Sequence, residues 1–314
     1  MHVDETALQL FENALNPAYP HQSGIPPVIL GYGEISTTFV IPAMPDIAFK
    51  RMPPFERLGQ IAAYKTVVTQ YYDLLTEKCG IQVVDYDFFT MENRHGEQIF
   101  YMAQARLPES SIGHNMLKSG SPSDIDSIIN AILEPLIRLF KFNRMNGKAL
   151  SIGLDGQLSN WSFQSSDERR FAPIYFDITT PMLRVDGRDL LDTDIFLKSC
   201  PSFIVWLVRW QFLAEVLDRY HDVRMILVDL VANFYKEGRA GLIERALQMI
   251  NARLQDEGLI PEVQPLARPE IDAYYKNDAF IWTLFLSLRR LDRFIKTQIL
   301  RQRYNFMLPG RIRR

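Results

Sequence analysis

Cysteine is scarce in this chain of 314 residues and occurs only at Cys79 and Cys200. Two thiols are too few for a disulfide framework or for a zinc site with four thiolates. Such sparse usage suits a reducing cytosol, where structural disulfides are rare. The hydrophobic share of 47% and the charged share of 23% are ordinary for a soluble globular protein, and they argue against a disordered or fibrous chain.

A large excess of one charge and a long apolar run are also missing. The 35 Lys and Arg residues nearly balance 37 Asp and Glu residues, so we expect no stable nucleic-acid partner for the chain as a whole. The most apolar stretch, residues 203–208, ends at Arg209 and falls far short of the ~20 residues that cross a bilayer. Because the acidic N-terminus also lacks an apolar run, we expect no signal peptide, no membrane span and a cytoplasmic location.

Histidine pairs with the spacing of metal ligands are missing as well. We interpret the five histidines as surface or turn residues: His2, His21, His95, His114 and His221.

The first third of the chain is patterned mainly for strands. Short β-branched or apolar runs, separated by Gly and Pro, predict strands over 28–30, 36–41 and 47–52, and a helix follows over 55–78. Two further strands are predicted over 81–92 and 97–106, joined by a turn at Asn93-Arg94-His95-Gly96.

After residue 107 the pattern becomes mainly helical. Short strands interrupt it over 148–185. We therefore expect two lobes, an N-lobe over 1–103 and a C-lobe over 104–314. The predicted helices cover residues 123–145, 201–221, 222–237, 239–255 and 270–304.

Two groups of residues in the predicted N-lobe have the chemistry to bind phosphate. Gly31-Tyr32-Gly33-Glu34-Ile35-Ser36 lies between two predicted strands, where glycine lets backbone N–H groups approach a phosphate closely. Lys50 lies in the third strand with the apolar neighbours Ile47 and Phe49 and offers a point charge. Taken alone, a glycine segment of this kind is more often a plain hairpin, and a lysine in this position is more often a surface residue.

Two further groups in the predicted C-lobe carry carboxylates. Asp155 and Asn160 are separated by four residues in a stretch rich in turns, where an Asp can accept the proton of a hydroxyl and an Asn oxygen can bind a metal. Asp177 follows an apolar strand and is a candidate magnesium ligand. The alternatives are that Asp155 and Asn160 are ordinary turn residues and that Asp177 is a capping residue.

In this order the four groups resemble the protein-kinase-like superfamily, closest in style to small-molecule kinases of the aminoglycoside and choline type. That superfamily uses a glycine-rich hairpin, a lysine on the third strand, a helix, an Asp-x-x-x-x-Asn catalytic loop and a later metal-binding Asp. The resemblance implies a two-lobed α+β fold, with a small β-rich N-lobe carrying one long helix and a larger, mostly helical C-lobe. The matching residues are Gly31, Gly33, Lys50, Asp155, Asn160 and Asp177.

The resemblance also implies roles and cofactors, namely ATP and Mg²⁺. The backbone of the glycine turn, Gly31, Gly33, Glu34 and Ser36, would cover the nucleotide phosphates, and the base would lie against the connection around Gln104. Lys50 would pair with the α and β phosphates, and Asp155 would orient or deprotonate the acceptor hydroxyl. Asn160 and Asp177 would hold magnesium.

The family places a Glu on the helix that follows the third strand, where it pairs with the lysine. Glu56 is our candidate for that partner and for the cofactor site, because Glu77 lies about 30 Å further along the helix. The alternative is that Glu56 is only an acidic residue favoured by the helix dipole.

The sequence departs from the family pattern at three places. Gly153 stands two residues before Asp155 in place of a histidine, Ser36 replaces a third glycine, and Ile178-Thr179 replaces Phe-Gly after Asp177. The last departure is normal in small-molecule kinases. We therefore expect a kinase that transfers the γ-phosphate of ATP to a hydroxyl of a small metabolite. A catalytically silent pseudokinase that acts as a binding module, or a protein kinase, is the alternative.

Residues 289–314 carry nine basic side chains and one acid. Such a region meets an acidic partner, RNA or a membrane surface, or it packs on the acidic body of its own chain, which is the interpretation we favour. Its expected buried stripe is Leu288, Leu291, Phe294 and Ile295.

Overall fold

The first third of the chain forms an antiparallel sheet of five strands in the order β1-β2-β3-β6-β5. A computed structural model describes residues 1–33, 35–166, 170–192, 194–198, 204–207 and 213–310. The strands of this sheet are β1 (Val28–Tyr32), β2 (Thr37–Ile41), β3 (Met44–Arg51), β5 (Tyr86–Glu92) and β6 (Gln98–Ala105).

Helix α2 (Leu58–Asp73) leaves the sheet after β3 and continues through a π-helical turn over Leu74–Lys78. It begins three residues later than predicted, because the backbone N–H of Phe55 donates to the carbonyl of Gln98 and still belongs to the sheet. It ends before Gly80, whose φ of +60° suits glycine. The predicted order of three strands, one helix and two strands is confirmed for the strands of this five-stranded sheet.

One predicted strand divides into two. β4 (Gln82–Val83) leaves the five-stranded sheet and pairs in parallel with β9 (Arg170–Tyr175). β9 in turn forms an antiparallel hairpin with β8 (Trp161–Ser166). This second, three-stranded sheet ties the first third of the chain to the rest.

The remainder of the described chain is mainly helical, so the protein has a mixed α+β fold with a sheet region and a helical lobe, as predicted. A small third sheet joins β7 (Leu150–Ile152), β10 (Leu183–Val185) and β11 (Arg188–Asp189). The helices of this part are α3 (Gly113–Ser119), α4 (Pro122–Asn146), α5 (Asp194–Lys198), α6 (Val205–Leu207), α7 (Leu213–His221), α8 (Val223–Lys236), α9 (Ile243–Asp256) and α10 (Arg268–Phe294).

The main core lies between α2, the β8–β9 hairpin and the helical lobe, and includes Tyr71, Ile132 and Trp161. Strand β6 ends at Ala105, and the division of the chain at residues 103 and 104 stays a prediction. Among the described residues, no helix combines the length and the apolar character that crossing a bilayer requires.

Both ends of the described chain pack on the outer face of the five-stranded sheet. Leu8 and Phe11 of α1 (Glu5–Ala14) share a core cluster with Phe39 and Met307. The segment 300–310, which we call the C-terminal segment, therefore returns to the sheet region.

The basic C-terminal region packs on the chain's own body in the part that is described, as we favoured, and Arg303 pairs with Glu97 at 2.9 Å. The stripe predicted for it is wrong, because Leu291 and Phe294 are 47% and 54% exposed. Leu286 and Arg289 are buried instead, since α10 turns a different face to the protein.

Candidate active site

Lys50 points from β3 into the space between the sheet region and the helical lobe. Its neighbour Phe49 belongs to the outer core, and alternation along the strand sends Lys50 to the opposite face. The Nζ atom donates to Oδ1 of Asp177 at 3.0 Å and to the carbonyl oxygen of Phe176 at 2.7 Å. Lys50 is 3% exposed and the side chain of Asp177 is 26% exposed, and their ion pair connects the two parts of the molecule.

Asp177 follows β9 and is ionised near neutral pH. Burial opposes its charge, but the ammonium of Lys50 and the hydrogen bonds from Lys50 and Thr179 outweigh burial and lower the pKa of the carboxyl. The Thr179 hydroxyl donates to Oδ1 of Asp177 at 2.8 Å.

Asn160 and Asp177 lie at the same end of the β8–β9 hairpin. Trp161 faces Tyr175 in the hairpin register, so the residues just outside it are neighbours. The backbone N–H of Phe176 donates to the carbonyl oxygen of Asn160 at 3.1 Å. The hairpin thus brings the backbones of two candidate metal ligands, 17 positions apart in the sequence, to the same end of the sheet.

The donor set of Asn160 and Asp177 fits magnesium that is shared with a nucleotide. Magnesium is commonly held by one or two carboxylates together with substrate phosphates, and keeps several waters. Among the residues that the structure describes, no group of three or more His, Cys, Asp and Glu side chains has the arrangement of a metal site. A magnesium ion here would complete its coordination with waters or phosphate oxygens.

The loop that carries Asp155 is fixed through its backbone. The buried hydroxyl of Tyr71 on α2 donates to the carbonyl oxygen of Gly153 at 2.8 Å. The N–H of Gly153 donates to Met182 O at 2.7 Å, and the N–H of Leu154 donates to Tyr220 O at 2.8 Å. These bonds hold the loop from both sides.

Asp155 lies close enough to Asp177 for both to act on the same two phenols. Burial is the main cause that raises the pKa of Tyr71 and of Tyr175, and the negative charges of Asp177 and Asp155 raise each of them further. The carboxylate of Asp155 also accepts the backbone N–H of Gln157 at 3.0 Å. Lys50, Asp155, Asn160 and Asp177 thus come together around one region between the sheet and the helical lobe.

The glycine turn lies at the end of the β1–β2 hairpin. Gly33 closes it by donating its N–H to Ser36 O at 2.9 Å. Apart from the two chain neighbours of Gly31, no heavy atom of the described residues lies within 4 Å of the position that a Cβ on Gly31 would take. Thr38, just after the turn, faces Lys50 across the β2–β3 pair. Glu34, also predicted to bind the cofactor, lies outside the described residues.

Gln104 lies on β6 opposite Ala48 of β3, two positions along the strand from the Lys50–Met102 pair. It is 3% exposed, and its Nε2 atom has no hydrogen-bond partner in the part of the chain that the structure describes. Its predicted role beside a nucleobase stays a prediction.

The predicted partnership between Glu56 and Lys50 is wrong. Glu56 is exposed in the segment that precedes α2, and its backbone N–H donates to Oε1 of Gln60. Asp177 occupies the place at the ammonium of Lys50 that the prediction gave to Glu56.

Two tyrosines of α2 were missed by the sequence analysis. Tyr64 donates to Thr179 O at 2.6 Å, two residues beyond Asp177, and Tyr71 donates to Gly153 O, two residues before Asp155. They are seven residues apart and share one buried helix face. The spacing of seven residues could have indicated from the sequence that Tyr64 and Tyr71 share a helix face. It does not identify the carbonyl oxygen to which each hydroxyl donates.

Asp229 of α8 contacts the loop that carries Asp155 through Gln157. Burial raises the pKa of Asp229, while the charge of Lys236 and hydrogen bonds with Tyr274 and Gln157 favour its ionised form. Because Gln157 is part of the Asp155 loop, this cluster links the loop to α8 and α10.

A family model covers most of this chain, matching residues 26–293, and its description is "Family of unknown function (DUF6206)". The chain belongs to that family. No curated protein matches the DUF6206 chain. Among solved structures, one similar chain is described as the GDP complex of wild-type aminoglycoside 2'-phosphotransferase-IIIa, at 11% identity, covering 81% of this chain and 98% of that one. The TM-score of 0.36 is too low to support an inference about function.

Proposed function

We propose that this DUF6206 protein is a phosphotransferase that uses ATP and magnesium to phosphorylate a hydroxyl of a small metabolite. The observation that carries the proposal is the contact of 3.0 Å between Lys50 on the sheet and Asp177 after the β8–β9 hairpin. A lysine and a carboxylate at such a junction are the pair that phosphoryl transfer from a nucleotide requires.

The roles follow from the chemistry of each side chain. Lys50 binds the α and β phosphates. Asp177 and Asn160 would hold magnesium, which when bound would supply positive charge beside the phosphate oxygens. Asp155 accepts the proton of the acceptor hydroxyl as its oxygen bonds to the γ-phosphorus. The bond from that phosphorus to the bridging oxygen breaks, and ADP leaves.

A small acceptor is supported by the short segment after Asp177 and by the absence of Phe-Gly at that place. The charged residues of this segment are partly committed elsewhere, since Arg184 pairs with Asp189 at 2.8 Å and with Asp218 at 2.7 Å. Recognition of a charged acceptor then falls to exposed residues such as Arg188 and Asp192.

The test is phosphate incorporation from ATP labelled at the γ position into metabolite pools. We expect wild-type protein to label an acceptor in the presence of magnesium, and Asp155→Asn to reduce turnover by about 10²–10⁴-fold. The matched control is Asp256→Asn, an exposed carboxylate near the end of α9, which should leave turnover unchanged. Equal labelling by wild type and Asp155→Asn would contradict the enzymatic role.

A second candidate is a catalytically silent binding module. It is favoured by the engagement of Lys50, whose ammonium already binds Asp177 and the Phe176 carbonyl and has little exposure. A nucleotide must replace part of these contacts. A silent module would show little or no thermal stabilisation by ATP and magnesium and no labelling of any acceptor.

A further inference from the structure

A pocket lies between the first half of α2 and the chain that leads into α5. It has a volume of about 110 Å³. Because a water molecule needs about 10–15 Å³ of such volume, the pocket has room for roughly eight non-hydrogen atoms. We call it the α2 pocket and define it by six of the residues that line it, namely Phe55, Ala63, Tyr64, Leu191, Ile195 and Lys198.

The α2 pocket is separate from the candidate active site but adjoins it. None of the four residues that converge in the candidate active site lines this pocket. Tyr64 lines it, and the hydroxyl of the same side chain donates to the carbonyl oxygen of Thr179 at 2.6 Å. Tyr64 thus connects the pocket to the segment that carries Asp177.

The wall of the α2 pocket is mainly apolar. Phe55, Tyr64, Leu191 and Ile195 are 8%, 5%, 6% and 4% exposed, so each presents little more than the surface that faces the pocket. Apolar atoms of a ligand that pack against these side chains leave water, which is favourable in proportion to the area they bury. The body of a matching ligand is therefore apolar.

Lys198 brings a positive charge to this wall. Its Nζ atom donates to the carbonyl oxygen of Pro54 at 3.0 Å and lies 5.3 Å from the ring centroid of Phe55. An ammonium has three donors, so two are left for a ligand. No carboxylate of the described residues pairs with Lys198, and the undescribed residues that follow it in the sequence, 199–203, include no acid.

Gln60 adds a second donor to the same wall. Its Oε1 accepts the backbone N–H groups of Glu56 and Arg57 at 3.2 and 3.3 Å, so its Nε2 is the end of the amide that is left for a ligand. Two donors, one of them charged, are complementary to a carboxylate. Asp192 also lines the pocket, but it is exposed to solvent that screens its charge, and its Oδ1 accepts the N–H of Asp194 at 3.0 Å.

We propose that the α2 pocket binds a small apolar carboxylate, either a simple acid or an α-amino acid with an apolar side chain. The carboxylate accepts from Lys198 and Gln60, and the apolar body lies against Phe55, Leu191 and Ile195. Because α2 and α5 both line the pocket, the bound molecule holds these two helices together. This site does not depend on the proposed phosphotransferase activity.

The experiment is isothermal titration calorimetry of the full-length protein with 4-methylpentanoate, a branched acid of eight non-hydrogen atoms. The matched probe is 4-methylpentanamide, which has the same shape and no charge. We expect saturable binding of the acid with a Kd of about 0.1–1 mM, and binding of the amide that is weaker by about tenfold, because a hydrogen bond to a charged group is stronger than one between neutral groups.

Two lysine variants test the charge. Lys198→Met keeps the length of the side chain and should bring the affinities for acid and amide within about threefold of each other. Lys78→Met removes an exposed lysine at the end of the π-helical turn after α2 and should keep the tenfold preference for the acid. An unchanged preference in Lys198→Met would overturn the assignment of the carboxylate to Lys198.

Two alanine variants test the place, and they decide if Lys198→Met does not fold. Ala63→Phe puts a ring into the pocket and should weaken binding of the acid at least tenfold. Ala62→Phe adds the same ring at an exposed neighbouring position that does not line the pocket, and it should leave binding unchanged. Equal affinity of these two variants for the acid would place the binding elsewhere and overturn the proposal.

Leucine distinguishes the two sources of the carboxylate. Leucine that binds at least as tightly as 4-methylpentanoate would support an α-amino acid, whose ammonium has Asp192 as a partner. Weaker binding of leucine would support a simple acid. Absence of saturable binding of both compounds by wild type, or equal affinity of wild type for acid and amide, would overturn the proposal.

Discussion

Gly153 stands where the kinase resemblance predicts a histidine, and the contacts around it explain why a side chain has no room. A Cβ there would lie 2.8 Å from Cβ of Met182, 2.9 Å from the carbonyl oxygen of Tyr220 and 3.0 Å from Nε2 of His221. His221 of α7, 68 positions later in the sequence, thus lies beside the loop that carries Asp155.

His221 is buried more than the sequence analysis expected, and its titration should be visible in the stability of the protein. Burial, together with the charge of Arg184, lowers the pKa of His221 to about 4, against Asp189 and Asp218, which raise it. Its Nδ1 atom lies 2.9 Å from the Ser151 hydroxyl. The imidazole is therefore neutral in the folded protein at pH 7.

In the unfolded chain His221 has the ordinary histidine pKa of 6.5, so it becomes protonated at a higher pH than in the folded protein. As the pH falls from 6.5 to 4, we expect His221 to reduce the free energy of unfolding by up to about 1.4 kcal/mol per pH unit. Urea unfolding across that range should show a flatter pH dependence for His221→Gln than for wild type. If wild type and His221→Gln show the same pH dependence of the free energy of unfolding, the pKa of His221 is the same in the folded and unfolded states.

The convergence of single residues was predictable where a motif names the chemistry, whereas their roles stay predictions. Lys50, Asn160 and Asp177 were chosen from residue type and order, and the structure brings them together. The prediction that Glu56 pairs with Lys50 was wrong, because the position of an acidic residue on a helix does not determine whether it reaches a buried ammonium. Tyr71 was missed because a tyrosine on an apolar helix face gives no sign of the carbonyl to which its hydroxyl donates.

Helix α2 is the element that joins the parts of the candidate site. Tyr64 and Tyr71 reach the segments that carry Asp177 and Asp155, so a displacement of this helix would move both carboxylates. Its role is to position the loops.

Tyr71→Phe should therefore displace the loop that carries Asp155 while the protein still folds. It leaves the buried Gly153 carbonyl without its partner, which should lower the free energy of unfolding by about 1–3 kcal/mol. Turnover should fall while magnesium-ATP binding changes little, because Asp155 is displaced and Asp177 is not. The control is Tyr72→Phe, since the Tyr72 hydroxyl binds Asp85 near the surface. Equal effects on binding and turnover would contradict this role.

Elements were predicted well where the periodicity was strong and poorly at their ends. The five strands of the first sheet and α4 have clear patterns, and each appears close to its predicted range. β4 was not separated from β5, because two residues that pair with a distant hairpin have no local signature. Helix α10 was predicted to run to residue 304, but regular helix ends at Phe294, where a π-helical turn follows over Ile295–Ile299.

At the scale of the whole molecule, the two ends of the described chain meet at one buried ion pair. Glu12 of α1 binds Arg51 through two hydrogen bonds, and Arg51 also donates to the carbonyl oxygen of Asn305 at 3.2 Å. The first sheet is therefore covered by segments that are about 290 positions apart in the sequence. Periodicity could not predict this closure, since it depends on contacts between distant segments.

Glu12→Gln should destabilise the whole protein, because it leaves the guanidinium of Arg51 buried without a counter-charge. We expect a loss of about 3–5 kcal/mol in the free energy of unfolding. Glu262→Gln, which removes a partner of Arg144 from an exposed pair, should lose less than about 1 kcal/mol. Chemical denaturation of the three proteins measures both, and similar losses in the two variants would show that Arg51 has other compensation.

The most direct test of the proposed function is isothermal titration calorimetry of ATP with and without magnesium. The convergence of Lys50 and Asp177 predicts that wild type binds ATP tightly only with magnesium, and that Asp177→Asn loses this magnesium dependence while remaining folded. Absence of ATP binding by wild type in both conditions, or an unchanged magnesium dependence in Asp177→Asn, would contradict it.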